Sequence, residues 1–182
     1  MHRQNILHLS IKQFSMKMAL PKQLLMLALS TVFLLAFTSQ PYKANFSGGW
    51  KLNESKSDLG QFGRFAVRSI KADQKDESIS ITRTQASFNG DDMTTTETLS
   101  FDGKETETTI FENSKRKSTA KWSDDGKALT ITYVLMLNFN GETTEIKGTE
   151  VWTLADGGAT LVSQNSSSSS FGDMKAKGVY KK

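Results

Sequence analysis

The chain reads as an all-β protein: an antiparallel up-and-down β-barrel of about 8–10 strands, with a β-sandwich as the alternative. Three observations carry this expectation. Asn89-Gly90, Asp102-Gly103, Asp125-Gly126, Asn140-Gly141 and Asp156-Gly157 punctuate the second half of the chain, and both residues of such a pair tolerate the positive φ that a type I′ hairpin turn needs. The segments between these turns are rich in Thr, Ser, Ile, Leu and aromatics and alternate with period two. No βαβ alternation and no helical repeat is present.

The first forty residues are a different material. Leu24 to Phe37 is an uncharged stretch preceded by Arg3, Lys12, Lys17 and Lys22 and followed by Ala36-Phe37-Thr38-Ser39-Gln40. A basic region, a short apolar region and a small-residue exit describe a secretory signal peptide. A spanning helix needs about 20 apolar residues, so a retained anchor is the lesser alternative, and no stable membrane span is expected once the signal is removed. Cleavage is expected between Thr38 and Ala44. Translation from Met16 rather than Met1 gives a more ordinary leader. With no Cys, lipid anchoring of the lipoprotein kind is excluded. The expectation is a secreted or periplasmic protein, with residues 1–40 as signal peptide and 41–182 as one barrel domain.

Those four basic residues account for the whole formal charge of +4, leaving 19 basic and 19 acidic residues in 41–182. A nucleic-acid partner requires a net basic footprint, so none is expected. Lys115-Arg116-Lys117 is the one basic run and is placed on a solvated turn, flanked by Glu112 and Asp124-Asp125. His2 and His8 also belong to the leader, so the remaining domain has neither His nor Cys. Ser-His-Asp triads, Cys nucleophiles, His-ligated zinc and disulfides are thereby excluded. No metal and no cofactor is expected. A domain of roughly 140 residues can stand on its core alone.

Taken in order, strands are expected near 48–53, 65–72, 78–86, 93–101, 104–111, 117–123, 128–138, 142–154, 159–169 and 174–181. Residues 55–64 break the alternation and read as a loop or short helix over one barrel end. Ile79 and Ile81 face inward. Met93, Leu99 and Phe101 share a face opposite Thr94, Thr96, Thr98 and Ser100. Leu129, Ile131, Tyr133, Leu135, Leu137 and Phe139 form the clearest stripe, and Trp122, Trp152, Leu154 and Leu161 continue it. A turn near Glu112-Asn113-Ser114 fills the gap between the second and third turn dipeptides. The serine run Ser166 to Ser170 is either a loop or a strand whose small inward residues leave cavity space, and bracketing by Leu161-Val162 and Phe171 favours the strand. Sequential hairpins favour closure into a barrel, which removes free edges.

The segment Phe46-Ser47-Gly48-Gly49-Trp50-Lys51-Leu52-Asn53 resembles the G-x-W signature that opens the first strand of lipocalins and other calycins. The ending Gly178-Val179-Tyr180-Lys181-Lys182 is similar to the last strand of fatty-acid-binding proteins. The resemblance implies a barrel closed at one end by Trp50, with Gly48 in the same structural motif, and a small hydrophobic or amphipathic ligand held inside. Two departures stand out. Gly178 occupies the place where fatty-acid-binding proteins carry an Arg for the ligand carboxylate, and the stretch between the first two strands is too short for their helical lid.

Three charges share an alternation face with apolar neighbours: Arg83 after Ile79 and Ile81, Glu97 before Leu99 and Phe101, Glu150 before Trp152 and Leu154. One reading makes them a polar patch in the barrel, meeting a ligand head group together with Phe101, Tyr133, Trp152 and Tyr180. The plainer reading, preferred because a one-residue slip reverses every side chain, puts them at a bulge or at the solvated mouth. Asp91-Asp92, Asp102 and Asp124-Asp125 are explained by turn chemistry, without EF-hand spacing, and three Asn-x-Ser sequons are chance products of a Ser-rich chain. The leading expectation is a non-enzymatic binder of a small apolar or amphipathic molecule. A filled barrel acting through its outer surface is the alternative. General acid–base work by Glu97 and Glu150 ranks last. Oligomeric state is not readable.

Overall fold

Ten strands run antiparallel in a single sheet in the computed structural model, which describes residues 42–87, 90–111, 113–139 and 141–182. Residues 1–41, on which the signal-peptide expectation falls, Phe88, Asn89, Glu112, Asn140 and the side chains of Gln61, Phe62 and Phe139 lie outside the described residues. The strands are β1 (Gly48–Leu52), β2 (Val67–Gln74), β3 (Ser78–Ala86), β4 (Asp92–Ser100), β5 (Thr106–Phe111), β6 (Ser114–Trp122), β7 (Ala128–Phe139), β8 (Glu142–Ala155), β9 (Thr160–Ser169) and β10 (Gly172–Lys181). Each pairs with its neighbour in sequence, except β4 and β5. The ring is completed by β1 pairing with β10, Leu52 opposite Tyr180. β4 and β5 lie against one another as the unladdered seam of a nearly closed up-and-down barrel. One continuous sheet curling on itself replaces the sandwich alternative, and this is the calycin-like meander that the G-x-W segment implies.

Alternation explains which faces turn in. β3 buries Ile79, Ile81, Arg83 and Ala86 and leaves the residues between them partly exposed. β7 buries Leu129, Ile131 and Tyr133. The core gathers at one end, where Trp50, Trp152, Ile70, Ile79, Leu99, Leu129 and Leu161 are fully or almost fully buried. Each such side chain contributes about 1.5–3 kcal/mol relative to exposure. Trp50 donates its indole N–H to the carbonyl of Phe46 at 2.9 Å. Phe46 itself stacks on Trp122 and meets Trp152 edge-on, each at 5.7 Å between centroids. The plug is therefore a pair, Trp50 with Phe46, and not Trp50 alone.

The break in alternation at 55–64 is short helix, as two 3-10 turns, Glu54–Lys56 and Gly60–Phe65. Two strand expectations shift. β2 runs to Gln74, with a bulge between Val67 and Ser69. β6 begins at Ser114, three residues earlier than the spacing suggests. That last change overturns the placement of Lys115-Arg116-Lys117 on a turn. The run lies in mid-sheet, with Lys115 and Lys117 facing out and Arg116 facing in.

At the β4–β5 and β6–β7 turns, aspartates cap backbone donors. Asp102 accepts from the Lys104 N–H at 3.0 Å, and Asp125 from the Lys127 N–H at 3.0 Å. Among the described residues no group of three or more His, Cys, Asp or Glu gathers as ligands for an ion.

Candidate functional site

Above the apolar end of the barrel sits a cluster of four charges. β3 supplies Arg83, β4 Glu97, β6 Arg116 and β8 Glu150. β3 and β4 pair without a register break, Ile81 opposite Glu97. Strand alternation therefore carries Arg83 and Glu97 to the same interior that Ile81 and Leu99 occupy. The preferred expectation of a bulge or rim position does not hold: Arg83, Glu97 and Glu150 are 8%, 5% and 9% exposed.

Arg83 bridges two carboxylates. Nη1 donates to Glu97 Oε1, and Nη2 donates to Glu150 Oε2 at 3.1 Å. Glu150 Oε1 in turn accepts from the Trp152 indole N–H at 2.5 Å and from the Ser163 hydroxyl at 2.8 Å. Burial lowers the tendency of Arg83 to stay charged, and Glu150 and Glu97 more than restore it. Burial pushes the Glu150 carboxyl up, and Arg83 and Arg116 outweigh that, leaving it below the usual carboxylate range. These are permanent ions held by one another.

Arg116 is held more loosely. Its Nε donates to Ser118 Oγ at 3.0 Å, and its guanidinium lies 3.9 Å over the Tyr133 ring. Glu97 Oε2 is 3.7 Å from Nε and Glu150 Oε2 is 3.8 Å from Nη2, too long for hydrogen bonds. Nη2 of Arg116 and Oε2 of Glu97 are buried with no protein hydrogen-bond partner. Burial and the nearby Arg83 charge lower the Arg116 pKa from its ordinary value.

Two glycines make the aromatic neighbours possible. A Cβ on Gly148 would collide with the Tyr133 ring, and one on Gly178 would fall 2.6 Å from the Tyr180 ring. Tyr133 thus lies across β8 and donates to Asn165 Oδ1 at 3.0 Å. Tyr180 fills the space over Gly178, so the position where fatty-acid-binding proteins carry an Arg is here covered by a tyrosine ring. Burial, with Glu150 nearby, raises the Tyr180 phenol, which stays protonated.

Arg83, Arg116 and Glu150 of the cluster form one wall of a chamber of about 600 Å³, lined also by Tyr180 and the small side chains Ser163 and Ser167. The serine run is strand, not loop, and its inward members leave the space. A second chamber of about 500 Å³ is lined by Ala86, Met93, Ile110, Leu135, Leu137 and Ile146. Phe65, Gln85 and Met174 border both chambers.

Of the residues singled out in the sequence, Arg83, Glu150 and Tyr180 line the polar chamber. Glu97, Tyr133 and Trp152 stand behind them, each bonded to or stacked on a lining residue or its partner. Phe101 is not brought there. It packs on Trp122 at 5.3 Å, beneath the Lys43 ammonium, at the closed end. Arg116 was missed. Its signal was present, since Ser118 and Ala120 continue its parity and both are buried.

No protein-family model matches the chain, and no curated protein matches it. Among solved structures, a zebrafish ileal bile acid-binding protein complexed with cholic acid is similar in part. It has 20% sequence identity and a TM-score of 0.47, covering 75% of this chain and 98% of that one.

Proposed function

We infer that this protein binds a small amphipathic molecule inside the barrel and is not an enzyme. The observation that carries the reading is the pairing of chambers: a polar one of about 600 Å³ adjoins an apolar one of about 500 Å³ across Phe65, Gln85 and Met174. Ligand sites are concave, mostly apolar and marked by a few convergent polar groups. Both chambers fall within the usual volume range for small-molecule sites, which speaks against the filled-barrel alternative. A polar head would meet the Arg–Glu cluster while an apolar tail lies among Leu135, Leu137 and Ile146. The paired carboxylates are poor candidates for acid–base work. Glu97 and Glu150 both hydrogen-bond Arg83, and Glu150, held below the usual carboxylate range by Arg83 and Arg116, is not poised to give and take a proton near neutrality.

The test is titration with the neutral fluorescent dye Nile red. Saturable enhancement that is weakened at least about tenfold by Met174→Trp, which fills the junction, is expected. Dye that never saturates, or is indifferent to that substitution, refutes an interior site. We also infer export, on the strength of the basic and apolar pattern of residues 3–40. Fractionation of the source cells, with N-terminal sequencing of the exported form, tests it.

A further inference from the structure

We propose that the polar chamber selects a hydroxyl-bearing, uncharged head group and discriminates against a carboxylate. This rests on the reading of the chamber as a ligand site and names the chemistry it takes.

The interior cluster holds two Arg and two Glu, so its formal charges cancel without a ligand. Arg83 has both terminal nitrogens engaged by carboxylates, whose charges already offset its own. Arg116 is the cation with an idle donor: Nη2 is buried, borders the chamber through its residue, and has no protein acceptor. Yet 3.8 Å from that nitrogen lies Glu150 Oε2, which also belongs to a chamber-lining residue. A ligand atom that accepts from Arg116 Nη2 therefore sits beside a carboxylate oxygen.

A ligand carboxylate offers acceptors only. It would satisfy Arg116 while setting its own charge against Glu150, with Glu97 close behind, and both carboxylates are themselves buried, where like charges repel more strongly than in bulk water. It would also lose its hydration without a free counter-charge to replace it. A hydroxyl both accepts and donates. It takes the Arg116 proton donor on one lone pair and gives its own hydrogen to the adjacent carboxylate, leaving the ion balance untouched. Gly178 strengthens the argument, because the overlying Tyr180 ring leaves no room there for a further cation.

The experiment compares dodecanoate with 1-dodecanoylglycerol as competitors of Nile red, at a pH well above the fatty acid's own pKa. The glyceride is expected to compete at least about tenfold more strongly, and Glu150→Gln, which uncovers a positive charge, is expected to reverse the preference. Arg116→Gln should weaken the glyceride about tenfold more than it weakens Nile red, and retention of the near-ultraviolet tryptophan dichroism shows that the variant is folded. Equal competition by the two lipids, or stronger competition by dodecanoate against the unsubstituted protein, overturns the selectivity while leaving interior binding in place. If Nile red itself never binds saturably, the underlying reading fails as well.

Discussion

Arg83 is the side chain on which the interior ion cluster depends, and removing it tests the cluster most simply. Arg83→Met leaves Glu97 and Glu150 buried without their main counter-ion, a situation that costs about 3–5 kcal/mol. Urea unfolding should register that loss, and adding Glu97→Gln and Glu150→Gln to the same chain should recover part of it. Acid acts on the same contacts. The Glu150 carboxyl is held below its ordinary value of 4.5, so the folded state binds fewer protons there than the unfolded chain. Its contribution is complete above about pH 4.5 and is lost as pH falls through the lower folded value. The urea midpoint should therefore drop on acidification in that window, and less steeply in Glu150→Gln. Gly148 offers a steric test. Gly148→Ala drives a methyl group into the Tyr133 ring, which should cost about 1–3 kcal/mol, and Gly148→Ala/Tyr133→Ala should relieve the clash. The parity of Arg83, Glu97 and Glu150 with Ile81, Leu99 and Trp152 was legible, but the preferred reading set it aside for a bulge or the barrel mouth because buried charges are costly unless paired, and their partners lie on other strands. Arg116 was hidden because Lys115 and Lys117 make a surface-looking triplet, and only the position of the preceding turn decides whether that triplet lies in a strand.

Strand order followed largely from hairpin punctuation, since four of the five Gly turns join strands that pair with each other and the fifth, Asp102-Gly103, joins β4 to β5 at the seam. Strand ends did not, because they depend on contacts remote in sequence. β2 extends to Gln74 because that side chain is used by the segment before β1. Gln74 Oε1 accepts from the Phe46 N–H at 3.0 Å, and Nε2 donates to the Ala44 carbonyl at 2.9 Å. No local pattern announces a link across 30 residues. The strap fixes Phe46 beneath Trp50 and closes that end of the barrel. Gln74→Ala leaves a donor and an acceptor of the strap without partners and should lower stability by about 1–3 kcal/mol, with a change in near-ultraviolet tryptophan dichroism that a surface substitution such as Lys71→Ala does not produce. Ala44 also donates its N–H to the Gly126 carbonyl at 2.8 Å. A mature chain begun upstream of Ala44 keeps these contacts, so N-terminal sequencing is expected to place cleavage before that residue.

At the scale of the whole molecule, closure of the meander was readable and the character of its interior was not. Closure follows from ten hairpin-linked strands with one apolar face. The division of the interior into a packed apolar end, a charged belt and an apolar mouth depends on side chains from all ten strands meeting, and on small residues such as Ser163 and Ser167 where larger ones would fill the space. The central claim is that this space holds an amphipathic molecule. Native mass spectrometry of the protein purified gently from its own host tests it most directly. An additional mass that disappears on organic extraction, leaving a chain that then takes up Nile red saturably, is the expected result. A bare-chain mass together with no saturable uptake of the dye would contradict it.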